Sequence, residues 1–245
     1  MSQSLMAENR EMLRRNSYPG RGIIIGLSAD GGNYVQVYWI MGRSVNSRNR
    51  VFEEEDGFVR TRAHDESKAI DPSLIIYYPA KHYQRAQIIS NGDQTETILD
   101  ALSRGGTFEE ALWTREFEPD APNFTPRISG LVDLDDTRAA YRLSIIKTRH
   151  HDPNHCERHF FNYTKGIPGA GHCLHTYAGD GDPLPSFDGE PYLLALGNGP
   201  EETAGVYWGL LNEENRVALM AKFINISTGK IRIAVINKLG KYDPT

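Results

Sequence analysis

The sequence predicts an α+β protein built largely on antiparallel sheets. Apolar, strand-like runs dominate both ends of the chain, helical patterns occupy a short N-terminal stretch and the middle, and short polar turns join the runs. The 245 residues suit a single domain over 1–245, with no internal repeat, low-complexity segment or long linker.

Taken in order, "SLMAENREMLRR" predicts a short amphipathic helix that ends before "NSYPG". In "RGIIIGLSADGGNYVQVYWIM", two apolar runs flank Asp30-Gly31-Gly32, a hairpin signal because glycine accepts positive φ. "SLIIYY" (73–78) and "AQIIS" (86–90) read as strands, and "QTETILDALSRGG" as a helix stopped by glycine. "TFEEALW" opens a second helix, with Thr107 and Glu110 at capping-box spacing. Beyond it, "TPRISGLVD", "AAYRLSIIK", "HFFNYT", "YLLAL", "GVYWGLL", "RVALMAKFIN" and "IRIAVIN" read as strands, several joined by turns such as 212–215. A long irregular segment is expected from Lys165 to Pro191.

Thirty-two acidic residues against 27 basic ones give a net charge of −5, which argues against a general nucleic-acid binder while leaving room for a local basic pocket. The N-terminus lacks a secretory apolar core, and no run approaches the roughly 20 apolar residues of a membrane helix. A cytoplasmic protein with two free thiols, Cys156 and Cys173, and no membrane partner is the expectation.

"RHHDPNHCERHFF" (149–161) gathers four of the eight histidines. Read as a hairpin, its loop is "TRHHDPNH", and His155 and His159 then lie about 13 Å apart along one strand, too far to share an ion. The spacing fits no paired zinc pattern, so a polar hairpin tip is expected and no metal is assigned. Convergence of His150, His151 and His155 around the turn, near Cys156, stays open.

Four other stretches set polar groups beside strands. "MGRSVNSRNRVF" offers Arg43, Arg48 and Arg50 with Ser44 and Asn49, types that suit a phosphate monoester, or equally a solvated basic loop. "IIYYPAKHY" carries Tyr77, whose hydroxyl suits a developing oxyanion or a wet core position. "ISNGDQTE" runs through Asn91 and Gly92 into a helix start near Thr95, a place for close ligand approach or a simple turn. "EFEPDAPNFTPRISG" places Glu118 and Asp120 upstream of Arg127, as an ion pair or an acid/base site.

Together these stretches carry a resemblance. Arg43-Ser44, then Asn49-Arg50-Val51, Tyr77, "SNG" at 90–92 with Thr95, and "TPRI" at 125–128 occur in the order of the archaeal-type IMP cyclohydrolases. The similarity spans Tyr18 to about Val132, and "GHCLHTYAGDGDPLPSFDGEPY" (171–192) resembles a motif of bacterial relatives. The arginine loop is about two residues longer than the archaeal form, leaving Arg48 and Arg50 as rivals for one position, and the acidic loop aligns loosely, leaving Glu118 and Asp120 as rivals for another.

The resemblance implies a four-layer αββα sandwich like that of the N-terminal-nucleophile hydrolases, two antiparallel sheets flanked by helices. It implies closure of 5-formamidoimidazole-4-carboxamide ribotide to IMP with loss of water, without a cofactor, by a homo-oligomer. It assigns catalysis to Tyr77, Glu118 and Arg127, with His175 closing the site. It assigns substrate binding to Arg43, Ser44, Asn49, Arg50, Asn91, Gly92, Thr95 and Tyr177. An amidohydrolase on the same fold using Cys156 or Cys173, a non-catalytic purine-nucleotide binder, and a metal hydrolase built on the histidines are the alternatives.

Overall fold

The computed structural model describes residues 2–68 and 76–240. Thirteen strands among these residues form two sheets. The first has the strand order β11 (Tyr192–Ala195), β10 (Ala170–His175), β1 (Gly22–Leu27), β2 (Asn33–Met41), β12 (Arg216–Asn225) and β13 (Ile231–Asn237). The second runs β3 (Arg50–Glu55), β4 (Phe58–Ala63), β5 (Ala80–Tyr83), β6 (Ala86–Ser90), β7 (Arg127–Asp133), β8 (Tyr141–Arg149) and β9 (Asp152–Tyr163). Every strand pairing is antiparallel.

Alternation along the strands makes the layers. Ile23, Ile25, Tyr38 and Ile40 of the first sheet meet Phe52, Val59, Ile89, Ile128, Val132 and Leu143 of the second in one buried core. The sheets approach so closely at Gly130 that an added Cβ would lie 2.3 Å from Ile25 Cδ1. The opposite face of the first sheet is covered by α1 (Ser2–Arg15) and α5 (Pro200–Leu210), through Leu13, Tyr207 and Leu210. The outer face of the second is covered by α3 (Gln94–Ser103) and α4 (Phe108–Trp113), through Ile98, Phe108 and Leu112. A single turn, α2 (Val45–Arg48), links the two sheets. The order of layers is therefore helix, sheet, sheet, helix, as expected. No helix among the described residues is long and apolar enough to cross a membrane.

Several local expectations need correction. "GVYWGLL" is not a strand but most of α5: Pro200 starts the helix at a position where its missing N–H costs nothing, and Glu201 and Glu202 fill the first turn. Thr203, Ala204, Tyr207 and Leu210 then share its buried face. The segment expected to be irregular contains β10, a strand inside the first sheet with neighbours on both sides. The hairpin β3–β4 was not foreseen, although Asp56-Gly57, both at positive φ, mark its turn.

The histidine hairpin is tighter than expected. β8 and β9 extend until only His150 and His151, at φ 56° and 57°, connect them, and β9 includes Pro153 because an edge strand can spare one N–H. Of the strand expected at 73–78, residues 73–75 lie outside the described residues. Ile76–Tyr78 is not a strand, though Thr61 N–H donates to Tyr77 O at 2.8 Å and Tyr77 N–H to Thr61 Oγ1 at 2.8 Å.

Candidate active site

Strand ends bring the reactive types together. Arg21 directly precedes β1, Tyr38 lies on β2, Arg50 opens β3, Tyr77 precedes β5, Gly92 follows β6 and Arg127 opens β7. Glu118 enters from the loop between α4 and β7, and its backbone N–H donates to Thr125 O at 2.9 Å. Its carboxylate is 2% exposed and lies 3.7 Å from the Arg21 guanidinium. Burial pushes the Glu118 carboxyl up to about 7, against the pull of Arg21 and Arg127. Burial also works against the charge of Arg21, but Glu118 and the surrounding tyrosines outweigh it and hold that proton well above the ordinary range.

Arg127 is held along two edges. Its Nε donates to Glu116 O at 2.8 Å, and its Nη1 donates to Asp93 Oδ1 at 2.7 Å and Gln94 Oε1 at 2.8 Å. Asp93 is in turn bound by Arg115. Glycine at 92 makes this geometry possible, since a Cβ there would sit 2.8 Å from Arg127 Nη1 and 2.7 Å from Gln94 Oε1. The same Cβ would lie 3.6 Å from Glu118 Oε1, so Gly92 is the floor between the two charged groups. The Tyr77 and Tyr38 hydroxyls share a hydrogen bond of 2.7 Å, and burial holds the Tyr38 phenol well above its ordinary value.

The rivalries within the loops are separated by geometry. Arg48 turns outward, donating to Gly42 O and Asn215 Oδ1. Arg50 turns inward and is 1% exposed, its Nε donating to Ser47 O, while its Nη1 is buried without a partner. Burial lowers its hold on its proton, with Tyr77 opposing. Asp120 is committed to Thr125, accepting from its backbone N–H and its hydroxyl, which leaves Glu118 as the carboxylate facing the arginines.

Other predicted residues serve as framework or rim. Asn49 ties β3 to Asp65 through its whole amide, and Ser44 caps α2 in a box with Ser47. Asn91 bridges Pro126 O, Ile128 N and Gln94, and the Thr95 hydroxyl pairs with Ser90 at 2.6 Å. At the rim, Arg43 stacks over Tyr18, Tyr18 stacks on Tyr177, and the Tyr177 hydroxyl meets Thr125 Oγ1. His175 is not brought to the cluster. Its Nδ1 bonds Tyr177 O at 2.9 Å, its ring sits edge-on to Phe187 and Tyr192, and burial pushes it down to about 4.

Arg21 is the site residue that sequence reasoning missed. Its Nε, like Arg50 Nη1, is buried without a partner, so the cluster holds two orphan guanidinium donors around one carboxylate. A cavity of about 680 Å³ opens beside it, lined in part by Arg60, Arg62, Tyr78 and Glu96 and sharing Tyr77 and Asp93 with the cluster. Among the described residues, no group of three or more His, Cys, Asp or Glu could hold a metal ion. His155 pairs with Asp152 and His159 with Glu157 on the exposed hairpin. Burial raises both thiols, Cys173 to about 12, and so disfavours the thiolate an amidase would need.

Over 120 residues the chain is 31% identical to an IMP cyclohydrolase of Methanopyrus kandleri, an alignment covering 47% of this chain and 59% of that protein. The chain thus spans a little under two thirds of the curated relative it matches. The family model for IMP cyclohydrolase-like proteins matches residues 18–230, a span that encloses Arg21, Arg50, Tyr77, Glu118 and Arg127 alike. The chain belongs to the IMP cyclohydrolase-like protein family.

Proposed function

We propose that this protein closes 5-formamidoimidazole-4-carboxamide ribotide to IMP. The observation that carries the reading is Glu118, buried and poised near neutrality between Arg21 and Arg127, with unpartnered donors on Arg21 and Arg50 beside it. An intramolecular closure needs no external nucleophile. It needs the carboxamide nitrogen held against the formyl carbon, and groups that move two protons.

In this scheme the phosphate lies toward Arg43 and Arg50, and the base toward Gly92 and Tyr77. As the carboxamide nitrogen bonds to the formyl carbon, one N–H proton passes to Glu118, and the formyl oxygen takes a proton from Tyr77, its charge steadied by Arg127 or Arg21. The resulting carbinolamine then breaks its C–O bond. The hydroxyl leaves as water with the proton from Glu118, and the N–H proton of the former formamide nitrogen passes to Tyr77 as the C=N bond forms to that nitrogen. A carboxyl titrating near 7 suits both transfers at neutral pH. His175 acts in this reading by holding Tyr177 rather than by moving protons. Self-association, a cytoplasmic setting and the absence of a nucleic-acid partner belong to the same proposal, the last supported by the net charge of −5.

The test is conversion of the formylated ribotide to IMP by purified protein, beside Tyr77→Phe and Arg127→Met. Turnover by the wild type, lost by roughly 100-fold or more in both variants, is the expected result. Tight binding of IMP without turnover would leave a nucleotide-binding relative, and activity abolished by a thiol-alkylating reagent would favour the amidohydrolase.

A further inference from the structure

Residues 177–187 form a loop whose neck is closed and whose tip hangs on one side chain. At the neck, Ala178 N–H donates to Pro185 O at 2.9 Å, and Phe187 N–H donates to Thr176 O at 2.9 Å. Asn16 holds Ala178 O from α1's end, and Asn123 Oδ1 accepts from Leu184 N–H. At the tip, Arg43 Nη1 donates to Asp180 Oδ1 at 2.6 Å and to Gly181 O at 2.9 Å. Gly179, just before the tip, has no neighbouring heavy atom within 4 Å of a would-be Cβ. The same Arg43 guanidinium stacks 5.1 Å above Tyr18, which stacks on Tyr177 at the edge of the cluster.

We infer that Asp180 is a specificity-determining residue: its carboxylate holds the anion-binding edge of Arg43 in the free protein and yields it only to a phosphate dianion. The inference rests on the reading of Arg43 as a phosphate anchor. A carboxylate presents the same oxygen geometry to a guanidinium as a phosphate does, with less charge. Both partners are partly exposed, at 38% and 47%, so the pair is weak enough to be displaced. A neutral nucleoside brings nothing to Arg43 and leaves the pair closed. A ribotide phosphate replaces one carboxylate contact with a stronger one and frees the tip on its Gly179 and Gly181 flanks.

The experiment measures binding of IMP and of inosine to the wild type, Asp180→Asn and Arg43→Met, with kcat and KM for the ribotide. Asp180→Asn should bind IMP about twofold to fivefold more tightly, the span that an exposed ion pair commands. KM should fall by the same factor, kcat should hold, inosine binding should be unchanged, and the gain should shrink in about 1 M salt. Unchanged or weaker IMP binding by Asp180→Asn, with Arg43→Met weakened, would overturn the role of Asp180 alone. If Arg43→Met binds IMP as tightly as the wild type, the phosphate-anchor reading fails and this inference falls with it.

Discussion

Replacing Glu118 by glutamine should stabilise the protein while removing its activity, and the stabilisation should depend on pH in a definite way. In the unfolded chain this carboxyl titrates near 4.5, and in the folded protein burial raises it to about 7. Below the lower value both states are protonated and the group costs nothing. As pH rises from 4.5 to 7 the unfolded chain ionises alone, and folding loses about 1.36 kcal/mol per pH unit. Above 7 both states are ionised and the loss is complete, roughly 3 kcal/mol over the whole interval. Glutamine has the shape of the protonated acid and cannot ionise. The Glu118→Gln protein should therefore match the wild type in urea unfolding near pH 4.5 and exceed it by about 3 kcal/mol at pH 8. Turnover should fall by roughly 10²- to 10⁴-fold, the usual worth of a general acid/base. A stability difference that is flat with pH, or a variant less stable at pH 8, would refute the buried, poised carboxyl, and retained turnover would refute its role.

Other expectations follow from the same geometry. Gly92→Ala should displace Arg127 from Asp93 and Gln94, so kcat/KM should drop at least about tenfold while far-ultraviolet circular dichroism stays unchanged. Arg50→Met should weaken IMP binding by about tenfold or more, whereas Arg48→Met, whose guanidinium is engaged by Gly42 and Asn215, should change it less than about twofold by calorimetry. Lys222, fully buried with Nζ donating to Gly57 O, is pushed down to about 7 by burial. Between its ordinary 10.5 and that value only the unfolded chain holds the proton, so stability falls as pH drops through this window. Lys222→Met should gain up to about 5 kcal/mol over the wild type at pH 7, and the gain should vanish by pH 10.5 in chemical unfolding.

The parts of the fold legible in sequence were those with local signatures. Asp30-Gly31-Gly32 marked the β1–β2 hairpin, and Thr107 with Glu110 fixed the start of α4 through a capping box that is present in full. α5 misled because Val206, Tyr207 and Trp208 favour strands on their own, and only Pro200 with the two glutamates after it argued otherwise. β3 was hidden by the arginines before and at its start, Arg43, Arg48 and Arg50, which drew the segment toward a loop reading although Asp56-Gly57 was a clear turn signal. In the site, Tyr77, Glu118 and Arg127 were within reach because their order resembled a known family. Arg21 carried no such mark: it follows a Pro-Gly turn and precedes an apolar strand, and its partner Glu118 arrives from a distant loop. Pairings of that kind depend on tertiary register, which a local pattern does not encode. The burial of His175 was hidden for the related reason that a histidine at a strand end looks accessible until its neighbours, Phe187 and Tyr192, are folded against it.

The electrostatic economy of the cluster argues for an anionic ligand independently of the family. Arg21, Arg50 and Arg127 are brought into a region where one fully buried carboxylate, Glu118, and one half-exposed carboxylate, Asp93, face them. Asp93 is already divided between Arg127 and Arg115. Each orphan donor on Arg21 and Arg50 costs about 1–3 kcal/mol of desolvation that nothing in the folded chain returns. A fold selected for stability alone would place apolar groups there, as buried charges replaced by packed hydrophobic side chains are commonly neutral or stabilising. The arrangement becomes intelligible if a molecule bearing a dianion and a developing oxyanion completes it. Arg21 Nε and Arg50 Nη1, which find no partner within the protein, would gain partners from such a ligand. Glu118 fits the same logic, since a carboxylate between arginines would ordinarily be a fixed ion pair, yet its burial is deep enough to keep its proton exchangeable near neutrality. The cost of the unpartnered donors and the raised titration of Glu118 thus have one physical origin, the removal of charged groups from water.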